Sequence, residues 1–310
     1  MIYPWLQAVD AEFTERLDEN RLPHAILLSG PRDTGKTELA TGYIASILCL
    51  ENRNPACGSC RSCQLLRSGA HPDRTTITFE ENPRTGDLRK ELVIDQVRRL
   101  ISSLNLTNTI SRRKAALIHP VEAMNRSAAN ALLKTLEEPP GETVLILVAH
   151  DSGRLPATIR SRCQNLQVRT PDTAISVNWL CDTVNTSPAD AEAALVAAAG
   201  SPLKAARMMQ DGSIEHYQRV ISVLGDLRGQ RTAPGAAMAA LADVDPELLW
   251  SWISLFAAQE LKEAMDRPAV AREVAQLQST ADRNRKLLPT PVRKDFLLQD
   301  WLIQWARLKA

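Results

Sequence analysis

The sequence predicts an α/β fold organised around a phosphate-binding loop, followed by an all-helical second part. Three observations carry this reading. Residues Gly30-Pro31-Arg32-Asp33-Thr34-Gly35-Lys36-Thr37 match G-x-x-x-x-G-K-[ST], between an apolar strand pattern and a helical one. Short apolar runs alternate with helical patterns through the first half of the chain, the signature of a parallel sheet. Beyond Pro171 strand signals vanish and helical periodicity dominates.

Ala25 to Ser29 is the first strand and feeds directly into the loop that Gly30 opens. A helix should run from Lys36 to about Leu48, because Leu39, Tyr43, Ile44 and Ile47 recur at helical spacing. The segment Cys49 to Cys63 interrupts the exit from that helix. A strand is expected near Thr75 to Phe79, where β-branched residues cluster. Ile94 to Ile101 reads as an amphipathic helix and Lys114 to Ile118 as a buried strand. Ser127 to Glu138 reads as a helix stopped by Pro139-Pro140. Thr143 to Ala149 is the most apolar strand, and Pro156 to Ser161 a short helix. Thr173 to Asp182, Pro188 to Ala199 and Leu203 to Met209 predict a three-helix module. Gly212 opens the last helical segment, whose strongest patterns are Glu247 to Met265 and Lys294 to Leu308.

The 310 residues suffice for two or three domains. A net charge of +1 gives no global field toward nucleic acid or toward a basic partner. The longest apolar runs are too short to span a bilayer, and residues 1–5 lack the features of a secretory signal. No membrane partner is expected, and a cytoplasmic location follows as the default.

In the loop, Gly30 and Gly35 leave backbone N–H groups uncrowded for phosphate oxygens. Lys36 would reach the β- and γ-phosphates and Thr37 would touch Mg²⁺. The partner strand should then present an acidic residue for the metal. It reads Ala115-Ala116-Leu117-Ile118-His119-Pro120 instead. Glu122 is nearby, but Pro120 breaks the strand before it. The loop is therefore expected to keep at most ATP binding, without hydrolysis.

Four of the six cysteines, Cys49, Cys57, Cys60 and Cys63, form C-x₇-C-x₂-C-x₂-C. The short spacings let the thiolates converge on one tetrahedral ion, and four Cys ligands make a closed, structural site. Zinc is the expected metal; an iron–sulfur cluster and metal-free thiols are the other readings.

Two further strings are more specific. Asn130-Ala131-Leu132-Leu133-Lys134-Thr135-Leu136-Glu137-Glu138-Pro139-Pro140 is followed by Leu155-Pro156-Ala157-Thr158-Ile159-Arg160-Ser161-Arg162-Cys163. With the phosphate loop and the four cysteines, they resemble the bacterial clamp-loader family of AAA+ proteins over residues 1 to about 210. The opening Tyr3-Pro4-Trp5-Leu6 and the missing acid after Ile118 resemble its non-motor member. The motor members carry Asp-Glu where this chain has His119-Pro120. The family's second sensor carries an Arg shortly after Gly-Ser, whereas Gly200-Ser201-Pro202-Leu203-Lys204 offers Lys204 in a shifted register.

The resemblance implies an AAA+ P-loop domain at 1–169 with a zinc module at 49–63, a helical lid at 170–211 and a helical collar at 212–310. It implies that Arg162 projects into the ATP site of an adjacent motor subunit. A guanidinium there stabilises charge on the transferred phosphoryl group. The implied partners are motor subunits, a clamp-opening subunit, a sliding clamp and primed DNA, all serving the replicative polymerase. Two other readings stand beside this one: an active ATPase of the same complex, and a zinc-containing DNA-binding protein acting alone.

Overall fold

The computed structural model describes residues 2–308. They divide into two compact units. Residues up to Trp179, with Ser201–Leu203, form one; Leu180–Gly200, with the residues from Lys204 onward, form the other.

The first unit is built on five parallel strands: β1 Ala25–Ser29, β2 Arg74–Ile77, β3 Lys114–Ile118, β4 Thr143–Ala149 and β5 Gln164–Gln167. Their order across the sheet is β2-β3-β4-β1-β5. β1, β3 and β4 are buried along their whole length, so they read as continuous apolar runs rather than alternating ones. Their side chains still sort by parity. Leu27, Ala116, Ile118, Leu145 and Leu147 pack on one face, and Ile26, Leu28, Leu117, Ile146 and Val148 on the other.

Six helices flank this sheet in chain order: α1 Gln7–Asp18, α2 Lys36–Leu48, α3 Arg61–Arg67, α4 Ile94–Leu104, α5 Arg126–Glu137 and α6 Ala157–Arg160. Helices α4, α5 and α6 contribute to the first face, through residues such as Val97, Leu132 and Ile159. Helices α1 and α2 cover the second with Phe13, Leu17, Tyr43 and Ile47. The ends of α5 are set by sequence. Asn125 Oδ1 caps it by accepting from the Ala128 N–H at 2.9 Å, and Pro139-Pro140 stop it one residue after Glu138.

The remaining helices are α7 Thr173–Val184, α8 Pro188–Ala197, α9 Pro202–Gln210, α10 Ser213–Arg228, α11 Pro234–Ala240, α12 Pro246–Glu263, α13 Pro268–Leu287 and α14 Lys294–Ala306. Within the second unit, Trp250, Trp252, Trp301 and Trp305 are core residues. The Trp301 indole donates to the Leu277 carbonyl at 2.9 Å and that of Trp305 to Leu224 at 3.1 Å, which satisfies the polar edges of these two rings, while the buried Trp252 Nε1 has no hydrogen-bond partner among the described residues. No described helix is long and apolar enough to cross a membrane.

The expected strands and helices of residues 25–161 are present within a few residues of their predicted bounds. Three elements are additions: α1, α3 and β5 lie where no element was predicted, whereas α10, α11 and α13 fall in the segment expected to be helical without having been delimited there.

Candidate functional site

The phosphate loop joins β1 to α2 as its motif requires. Gly30 cannot be replaced by a larger residue, since an added Cβ would fall 2.0 Å from the Val168 carbonyl oxygen. Gly35 adopts a left-handed conformation, φ +83°, and forms the N-cap of α2 without a capping side chain. Gly30, Gly35, Lys36 and Thr37 are thus brought together as expected. The Lys36 side chain turns into its own loop, donating to the Pro31 carbonyl and, at 3.3 Å, to the Thr34 hydroxyl. Lys36 is only 2% exposed. Burial lowers its ammonium to about 8, against the opposing pull of Glu122, Asp33 and Glu38.

Aromatic residues lie over this loop. An added Cβ at Gly35 would fall 2.4 Å from the Tyr3 ring. Tyr3 stacks on Trp5 with centroids 5.2 Å apart, and both meet the edge of Trp179. The Trp5 indole also donates to the Thr34 carbonyl. In the sequence only the resemblance drew attention to Tyr3 and Trp5; nothing linked them to Gly35 or Thr34.

At the end of β3, His119 replaces the usual acid. Burial holds its imidazole below the ordinary value. Glu122 lies beyond it in a short 3₁₀ turn and accepts from the His150 backbone N–H at 3.0 Å. The buried Glu122 Oε2 and His150 Nδ1 have no protein partner. Burial, then the Lys36 charge, lowers the His150 imidazole. Glu122 is therefore closer to the loop's electrostatics than a strand break at Pro120 suggested.

Arg162 belongs to neither the loop nor the cysteine group. It follows α6, whose Ile159 is buried and whose neighbour Cys163 packs against the core. Burial pushes the Cys163 thiol up to about 11, so it acts as an apolar anchor. Arg160 and Arg162 stay at the surface, Arg162 with one third of its side chain exposed. Its Nε donates to Glu137 Oε1 at 2.7 Å, its Nη1 to the Thr158 carbonyl at 2.9 Å, and its Nη2 pairs with Glu137. The Glu137 partnership was not foreseen, although both residues stand in the strings quoted above.

The four cysteine sulfurs of residues 49, 57, 60 and 63 lie within 4.8 Å of one another. Cys57 and Cys63 Sγ are 3.9 Å apart. The edge of a tetrahedron with ~2.3 Å zinc–sulfur bonds is about 3.8 Å. Backbone N–H groups of Cys57, Cys60 and Cys63 point at Cys49, Cys57 and Cys60 sulfurs, at 3.5, 3.3 and 3.5 Å. Backbone N–H bonds from Cys60 and Ser59 hold the Cys57 thiol down to about 6, whereas burial pushes the neighbouring Cys63 thiol up to about 12. The donor set is compatible with structural zinc.

A buried polar network ties this module to the sheet. Ser62 and Ser111 each donate to the Leu48 carbonyl at 2.7 Å. Both hydroxyls face His71 Nε2, at 2.8 and 3.3 Å, while His71 Nδ1 accepts from the Asp73 N–H. The Asp73 carboxylate takes N–H bonds from Thr109, Ile110 and Ser111. With its carboxylate so occupied, Asp73 cannot orient His71 for proton transfer, so the constellation is structural rather than nucleophilic. Single-residue spacing gave no signal for it.

The family model for DNA polymerase III, delta subunit, matches residues 6–172. The DNA polymerase III subunit delta' of Pseudomonas aeruginosa is 36% identical, over 98% of this chain and 90% of its own length. The subunit delta' of Escherichia coli is 34% identical, over 67% of this chain and 61% of its own. A crystal structure of a DNA polymerase III, gamma subunit-related protein from Thermotoga maritima superposes with a TM-score of 0.53 at 16% identity, over 99% of this chain and 100% of that one, a likeness of fold. On the model match over more than half the chain and the near full-length relative, the chain belongs to the family of DNA polymerase III delta-prime subunits.

Proposed function

We propose that this chain is a non-motor subunit of the replicative clamp loader and supplies Arg162 in trans to the ATP site of a neighbouring motor subunit. The observation that carries the reading is the contrast between its two arginine- and lysine-bearing sites. The chain's own loop is closed on itself, with Lys36 bonded to Pro31 and Thr34 and no acid at the end of β3. Arg162 instead stands at the surface on an anchored turn. There a planar guanidinium would meet the charge developing on the γ-phosphoryl oxygens as the bond to the leaving diphosphate breaks.

In this reading residues 49–63 form a zinc module, 170–211 a lid and 212–310 a collar that joins subunits. Zinc would order a loop that has little apolar core of its own. The complex opens a sliding clamp and loads it on primed DNA in the cytoplasm. The motor neighbours would be proteins like the relative named DNA polymerase III subunit tau/gamma, which matches half of this chain.

The test is clamp- and primed-DNA-stimulated ATP hydrolysis in a complex reconstituted with motor and clamp-opening subunits. Arg162→Ala should lower turnover at its interface by about 10³-fold, with assembly intact. Unchanged turnover would leave the chain as a scaffold only.

A second reading, an active ATPase, is favoured by the unpartnered Glu122 Oε2 and His150 Nδ1 beside Lys36. It requires turnover by the isolated chain that Glu122→Gln abolishes.

A further inference from the structure

We propose that Glu137 is a positioning residue that holds Arg162 folded back on its own chain, so that the finger reaches a neighbour's triphosphate only by exchanging this carboxylate for phosphate. The inference rests on the in-trans reading of Arg162 and adds to it an internal competitor for the same guanidinium.

All three guanidinium nitrogens are engaged within the chain. Nε donates to Glu137 Oε1 at 2.7 Å, Nη2 pairs with the same carboxylate, and Nη1 donates to the Thr158 carbonyl at 2.9 Å and to Ser161 Oγ at 3.5 Å. An arginine presents five N–H groups in one rigid fork, and the Nε/Nη2 edge that here converges on Glu137 Oε1 is an edge that would grip a phosphate. Glu137 and a γ-phosphate therefore compete for the same donors.

The backbones on both sides of the pair are fixed. Glu137 ends α5, where Leu136 is buried and its carbonyl is held by His24 Nε2 at 2.8 Å. Arg162 sits between buried Ile159 and the packed Cys163. Release is thus a matter of side-chain rotation, without movement of either helix. The pair itself is solvent-accessible, 33% for Arg162 and 48% for Glu137. A carboxylate so exposed is a weak partner. A triphosphate, with more charge and excluded water, is a stronger one. The restraint is strong enough to define where the finger rests and weak enough to yield on assembly.

Glu137→Gln keeps the shape and one acceptor oxygen but removes the competing charge. A restrained finger is available only for a fraction of the time, and removing the restraint recovers that fraction. In the reconstituted complex, kcat/KM for ATP should rise about two- to fivefold, the range open to an exposed ion pair. Glu137→Asp keeps the charge and should return kcat/KM toward the native value. In the isolated chain, the ¹⁵Nε–H resonance of Arg162 should show slowed exchange that Glu137→Gln weakens and Glu137→Ala abolishes.

The outcomes separate the two ideas. If Arg162→Ala leaves stimulated turnover intact, the in-trans reading fails and this inference with it. If Arg162→Ala removes turnover but Glu137→Gln leaves kcat/KM unmoved or lowers it, only the restraint is overturned. An Arg162 Nε–H resonance indifferent to Glu137→Gln would overturn it as well.

Discussion

The indole Nε1 of Trp5 donates to the backbone carbonyl of Thr34 across 2.9 Å, so the turn that would wrap a phosphate is bonded to an aromatic cluster. The Tyr3 ring of that cluster sits on Gly35. Tyr3→Ala should uncover this face of the loop and tighten binding of a fluorescent ATP analogue to the isolated chain by about tenfold, equivalent to ~1.4 kcal/mol. Equal affinities would show that the ring does not limit access.

Lys36 gives the loop a signed dependence on pH. Its folded value of about 8 lies below the ordinary 10.5, so the fold favours the neutral amine. Charging it costs the folded state most below pH 8, and the cost is relieved as pH rises from about 8 to 10.5. The full penalty is on the order of 3 kcal/mol. Lys36→Met should therefore raise the unfolding temperature at pH 7, and the gain should shrink through that window. Destabilisation at pH 7 would mean that the amine's bonds to Pro31 and Thr34 outweigh its desolvation.

The cysteine module should depend on its metal. Chelation under reducing conditions should release one zinc per chain and lower the unfolding temperature by several degrees, because the loop has little apolar core of its own. Limited proteolysis should then cut within residues 50–60. A Cys60→Ser chain should behave like the chelated protein; intact metal content in that variant would exclude Cys60 as a ligand.

Ser62 and Ser111 back each other up at the Leu48 carbonyl. Replacing either with Ala should cost about 1 kcal/mol, since the other hydroxyl still satisfies the acceptor. Replacing both strands a buried carbonyl and leaves His71 Nε2 unpartnered. The double variant should lose more than the sum by about 1–2 kcal/mol, measured by denaturant titration in a double-mutant cycle. Simple additivity would refute the shared role.

What the sequence made legible followed from the strength of each local signal. β1, β3 and β4 are unbroken apolar runs, and the loop and cysteine spacings are motifs whose chemistry needs those residues. β5 was invisible because it reads Gln-Asn-Leu-Gln and buries only Leu166; its pairing with β1, not its composition, makes it a strand. α13 lies in the stretch read as helical but was not picked out there, because its buried Val274, Leu277 and Ala281 stand among Arg, Glu, Gln and Asp residues that dilute the stripe. α1 buries only Phe13 and Leu17. At the candidate sites, residue types were readable but their partners were not. Glu137 meets Arg162 across 25 positions, and Ser62 meets Ser111 across 49, distances at which only the folded sheet supplies the proximity.

The shortness and polarity of the two outer strands bear on aggregation. β2 and β5 each have four residues, and they bound the sheet with Arg74-Thr75-Thr76-Ile77 and Gln164-Asn165-Leu166-Gln167. Three apolar inner strands would be a strong template for another chain if either border were long and hydrophobic. Brief, hydrophilic borders discourage that accretion. Exchanging Gln164 and Gln167 for valine would make the border stickier without touching any residue of the loop, the cysteines or Arg162, and the chain should then lose solubility before it loses its fold.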